Sequence, residues 1–199
     1  MKNQFEFLGI KTPIRRAYTY RLIEMQRGAT AAELLRSARM LWALPQREFQ
    51  FVAVDLLGKH VRTLTPKHLP ALFSLVRKKS WWDTVDSLAA TVIGRVVLNA
   101  RTENPDIQVE MDRALQSSNL WLRRVAILHQ LGWREQTDSE RLFGYALACA
   151  HEKEFFIRKA IGWALRDYAR HDPEAVGRFL RLNRDKLSPL TLREAAKHL

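Results

Sequence analysis

Three observations predict an all-α fold of helical hairpins stacked in series into a curved solenoid with a concave, basic face. Apolar residues recur at three- and four-residue intervals along most of the chain, and strand-like alternation is almost absent. Proline or a polar capping residue introduces a fresh helix pair after roughly 35 to 40 residues, the period of helical-hairpin repeats. A compact bundle shares the periodicity, but five short-looped pairs in series favour the solenoid.

The first pair begins at Ala31, with Thr30 as N-cap, and runs to Trp42; its second helix opens near Pro45 and extends to about Val61. Pro66 to Lys79 and Trp81 to Asn99 form the second pair. Pro105 to Gln116 with Asn119 to Gly132 is the third, and Ser139 to Ala150 with Glu154 to Arg170 the fourth. Pro173 to Leu187 and Pro189 to His198 complete the fifth. Each pair exposes an apolar face that only a neighbouring pair can bury.

Composition bounds the rest. The 199 residues, 47% of them hydrophobic, suit a single domain spanning 1–199. Few glycines and prolines and no low-complexity tract point to order throughout. Cys149, the only cysteine, lies in a small-residue helix and reads as a packing residue; its use points to a cytoplasmic protein. No apolar run approaches a membrane span. The formal net charge is +12, and 16 of the 33 basic but only 7 of the 21 acidic residues fall within 1–99. Basic charge spread over folded helices suits a phosphate backbone, although acidic lipid or an acidic protein would look similar.

The candidate chemistry centres on Ser80-Trp81-Trp82-Asp83-Thr84-Val85-Asp86. Trp82 and Asp86, four apart on a helix, face one small volume, and an aromatic face beside a carboxylate is a cation site. Trp81 shares a face with Val85 and reads as core. Asp86 is too deep in the helix to cap it, and is costly to bury without a partner. From the residues alone, a structural hydrogen bond and a functional carboxylate stand equal for it. Arg124 is placed to hold a phosphate or to pair with Asp86, with Arg123 beside it. Lys159, Trp163 and Arg166 form a basic and aromatic stripe on a later helix, suited to a DNA backbone or simply to solvent. His129 reads as a hydrogen-bonded packing residue and the other histidines as exposed. No Gly-rich phosphate loop, Cys/His cluster, HExxH pattern or nucleophile elbow occurs.

Several segments, in order, resemble the bacterial DNA alkylation repair family, the HEAT-like-repeat alkylpurine DNA glycosylases of the AlkD type. They are Phe7-Leu8-Gly9-Ile10-Lys11-Thr12-Pro13 with Arg15-Arg16, Leu41-Trp42-Ala43-Leu44-Pro45-Gln46-Arg47-Glu48-Phe49-Gln50, Ser80 to Asp86, and Asn119-Leu120-Trp121-Leu122-Arg123-Arg124. Lys153-Glu154-Phe155-Phe156-Ile157-Arg158-Lys159-Ala160-Ile161-Gly162-Trp163 is the strongest, and Leu190-Thr191-Leu192-Arg193-Glu194-Ala195 closes the pattern. The resemblance implies a monofunctional enzyme that hydrolyses the N-glycosidic bond of cationic alkylated purines, such as 7-methylguanine and 3-methyladenine, in duplex DNA. It implies catalytic roles for Trp82, Asp86 and Trp163 and a backbone-holding role for Arg124, without flipping the base into a pocket. Arg123, Lys159 and Arg166 are further DNA-contact candidates. No cofactor, metal, membrane or protein partner is expected, and the working state is a monomer. The family usually carries one further helical segment, including an aromatic residue, before the part matching Met1, so a truncated start is expected here. The competing functions are a non-catalytic binder of distorted or branched DNA and a helical scaffold for an acidic protein.

Overall fold

A computed structural model describes residues 3–199 of the chain, without the side chain of His198; the expectation at Met1 lies outside the described residues, as does that for the side chain of His198. Among them every regular element is helical. Helix α1 (Thr12–Glu24) precedes the first hairpin, α2 (Ala31–Ala43) and α3 (Arg47–Lys59). Then come α4 (Leu69–Val76) with α5 (Trp82–Ser87), a π-helical turn over Leu88–Ile93, and α6 (Gly94–Ala100). The remaining pairs are α7 (Ile107–Leu115) with α8 (Leu120–Leu128), α9 (Ser139–Ala148) with α10 (Phe155–Tyr168), and α11 (Pro173–Leu182) with α12 (Pro189–Ala195). The second helices α3, α5, α8, α10 and α12 pack side by side as one layer, and the first helices of the hairpins back them, giving the HEAT-like solenoid that the sequence predicts.

Local chemistry sets the helix starts. Thr30 closes a capping box with Glu33 at α2, where the Glu33 carboxylate accepts from the Thr30 N–H at 2.8 Å. The Asn119 amide oxygen accepts from the N–H groups of Trp121 and Leu122 at α8, and Asp138, Asp172 and Ser188 cap α9, α11 and α12 in the same way. Two features depart from the sequence reading. Helix α1 carries no regular apolar stripe and was not anticipated; it is held from outside, by Arg15 and Arg16 on Asp55 of α3. The helix anticipated from Trp81 to Asn99 is interrupted by the π turn, one residue after its Asp86–Ser87 step.

Ion pairs one repeat apart join the hairpins. Arg15 meets Asp55 at 2.9 Å, Arg47 meets Asp83 at 2.5 Å, Asp86 meets Arg124 at 2.6 Å, and Arg123 meets Glu152 at 2.9 Å. Arg47 has no exposed surface and also donates to the Lys79 carbonyl and the Thr84 hydroxyl. Such forked pairs fix the axial stagger of each hairpin on the next as apolar contacts alone do not. Where backbones approach closest, glycine is required: a Cβ on Gly94 would lie 1.9 Å from the His129 carbonyl oxygen. His129 itself is fully buried, with Nδ1 2.6 Å from the Ala126 carbonyl, and burial pushes its pKa down to about 4. Cys149 is a buried free thiol, held well above its ordinary pKa by burial.

Candidate active site

Helices α5, α8 and α10 lie side by side, and each delivers one part of the site. On α5, Trp82 stands 40% exposed and Asp86, one turn later, is 15% exposed, so the indole and carboxylate share the open stripe of that helix. On α8, Arg124 is buried at 1% exposure, its Nε and Nη2 donating to Oδ1 and Oδ2 of Asp86 at 2.6 and 2.7 Å. Its Nη1 donates to the Phe156 carbonyl at the start of α10. The guanidinium carbon also sits 5.5 Å from the ring centre of Trp163 on α10. One arginine thereby ties three successive repeats into one centre.

Of the two roles open to Arg124, pairing with Asp86 is the one the structure adopts. A guanidinium so enclosed presents little surface to a phosphate. Burial raises the Asp86 pKa, with the Arg124 fork opposing it and the Asp83 charge adding to it. Asp83 is paired with Arg47, so the two carboxylates of α5 hold separate arginines.

Behind the ion pair, Trp81 packs against Trp121 and Phe156 with ring centres 5.9 and 5.2 Å apart, and Trp121 meets Phe156 at 5.1 Å. Trp81 is therefore a packing residue, and its cluster buttresses the carbonyl that Arg124 grips.

The basic stripe of α10 also converges. Lys159 and Arg166 flank Trp163, their charges 5.4 and 5.8 Å from its ring centre, and both reach Glu194 of α12. They are not a freely solvated face. Arg123 does not join them: it turns away from Asp86 to fork onto Glu152 and to donate to the Ser117 carbonyl, beside Cys149. Arg123 and Arg124 are consecutive, and the 100° step between them sends one to the ion pair with Asp86 and the other to a peripheral strut. Glu194 was not singled out from sequence as a site residue. Its separation from Trp163 resembles the one-repeat spacing of the other pairs, the signal that would have exposed it. Among the described residues no group of His, Cys, Asp and Glu is arranged to hold a metal ion, and no helix is long and apolar enough to cross a membrane.

The family model for "DNA alkylation repair enzyme" matches residues 1–199. The chain belongs to that family. A solved structure described as a predicted DNA alkylation repair enzyme from Enterococcus faecalis is 33% identical, with a TM-score of 0.90, covering all of this chain and 90% of its own. AlkD2 from Streptococcus mutans shares the fold at 17% identity and a TM-score of 0.71, covering all of this chain and 96% of its own. No curated protein matches significantly. Membership in the DNA alkylation repair family makes this protein a repair enzyme whose partner is DNA.

Proposed function

We propose that the protein is a monofunctional DNA glycosylase that hydrolyses the N-glycosidic bond of cationic alkylated purines, 7-methylguanine and 3-methyladenine among them, in duplex DNA. The observation that carries this reading is the Asp86 carboxylate, held by Arg124 one turn from the exposed Trp82 indole of α5, with the same guanidinium 5.5 Å from the Trp163 ring centre.

Alkylation gives the purine a positive charge, so it departs as a neutral base when the C1′–N9 electron pair moves onto it. The positive charge then passes to the sugar, and the protein must stabilise an oxocarbenium ion. Asp86 does so electrostatically, preorganised by its two hydrogen bonds, and accepts a hydrogen bond from the attacking water. Water forms the new C1′–O bond and its proton passes to solvent through Asp86. The indoles offer negative π faces to the same cationic sugar. No separate acid is needed, because the leaving base requires no protonation, and one carboxylate suffices.

The Trp82 indole is open to solvent and the Asp86 side chain one turn away is 15% exposed, which suits attack at the duplex backbone without full base flipping. Lys159 and Arg166 then supply phosphate contacts, while Arg124 acts on the substrate through Asp86. The enzyme works as a monomer on cytoplasmic DNA. Release of 7-methylguanine from methylated duplex by the purified chain tests the proposal. No release, with salt-sensitive duplex binding retained, would establish a non-catalytic DNA-binding protein instead.

A further inference from the structure

Hairpin α11–α12 contributes a carboxylate that takes no direct part in the proposed hydrolysis. Glu194 of α12 is 4% exposed, an unusual burial for a glutamate. Its Oε2 accepts from the Trp163 Nε1–H at 3.2 Å, from Lys197 at 2.9 Å and from Arg166 at 3.4 Å, and its Oε1 accepts from Lys159 at 3.0 Å. The backbone is shaped for this contact. A Cβ at Gly162, the residue before Trp163, would lie 2.5 Å from the Glu194 Cβ and 3.0 Å from the Thr191 carbonyl, so only glycine lets α12 come close enough.

We propose that Glu194 is a positioning residue for catalysis, anchoring and polarising the Trp163 indole while tethering Lys159 and Arg166 on either side of it. This inference rests on the reading of Trp163 as a catalytic aromatic.

Two physical effects support it. An indole has one polar atom, and holding its N–H to an ion fixes the ring's rotation about its side-chain bonds. Donation to a carboxylate also pushes electron density into the ring, strengthening the negative π face that attracts a cation. Glu194 is suited to this because it stays ionised: hydrogen bonds from Lys197, Lys159 and the indole hold its pKa at about 2 against the opposing push of burial. The same carboxylate subtracts one charge from a cluster of three cations, so it moderates the attraction of that patch for phosphate while aiming it.

Glu194→Gln and Glu194→Ala separate the two parts. Glutamine keeps an acceptor and removes the charge; alanine removes both. The indole ¹⁵N–¹H resonance of Trp163, assigned by its loss in Trp163→Phe, is expected to move upfield in the order Glu, Gln, Ala. Single-turnover 7-methylguanine release is expected to fall about three- to tenfold in Glu194→Gln and about 10- to 100-fold in Glu194→Ala. Affinity for undamaged duplex should rise in both, with a salt slope steeper by about one unit. A residue that served packing alone would lower affinity and excision together. An unchanged Trp163 resonance in Glu194→Gln overturns the proposal, and that isosteric variant decides the matter if Glu194→Ala does not fold. Should the wild type release no base, the glycosylase reading fails, whereas the resonance and duplex affinity still report whether Glu194 holds the indole and its cations.

Discussion

Replacing Asp86 by Asn tests two consequences of one ion pair. Asp86 accepts two charge-assisted hydrogen bonds from Arg124, at 2.6 and 2.7 Å, and the guanidinium is 1% exposed. Asparagine keeps the shape but replaces one acceptor with an NH₂ group, setting donor against donor. Stripping one partner from a fully buried pair costs about 3–5 kcal/mol; with one acceptor and some solvent access retained, about 2–3 kcal/mol is expected here. For a domain of this size that lowers Tm by roughly 5–10 °C. Loss of the carboxylate charge should slow excision about 10²–10³-fold, the cost of deleting one preorganised electrostatic group. Single-turnover release of 7-methylguanine, measured where circular dichroism shows both proteins folded, keeps the two effects apart. Excision within threefold of wild type would remove Asp86 from the mechanism, and an unchanged Tm would refute the pair's role in joining repeats. Duplex affinity should change little. Asp86→Leu combined with Arg124→Met should regain stability without regaining excision, since well-packed apolar groups replace a buried pair at little cost.

Other sites give independent tests. Gly94→Ala would drive a methyl group to 1.9 Å from the His129 carbonyl oxygen, and a loss of at least about 3 kcal/mol in urea unfolding is expected because backbone must move. His129 is neutral when folded, with its pKa near 4 against an ordinary 6.5. Below pH 6.5 the unfolded chain takes up a proton that the folded chain refuses, so stability should fall between pH 6.5 and 4, by up to about 3 kcal/mol, and His129→Gln should flatten that slope in unfolding titrations. Arg166→Ala should weaken duplex binding and reduce its salt slope by about one unit, read by anisotropy across a salt series; an unchanged slope would remove Arg166 from the phosphate contacts.

The sequence alone determined the helices and their hairpin period, because both arise from interactions within about four residues. Thr30 and Asn119 announce their caps, and Trp82 with Asp86 declares a shared face through spacing alone. Helix α1 and the π turn escaped such reasoning. The first lacks an apolar stripe and is held by Asp55 of another helix, and the second is a change of backbone register within an apolar run broken only by Thr91. Which partner Arg124 takes was left open by sequence, since Asp86 lies 38 residues away and becomes reachable only when two hairpins stack at one axial stagger. That stagger is set by packing, by forked ion pairs and by close contacts at Gly94 and Gly162. The same stagger carries Arg123 away from Asp86 and brings Glu194 onto the Trp163 indole. Local sequence dictates which face of a helix a side chain occupies; only tertiary structure decides what that face meets.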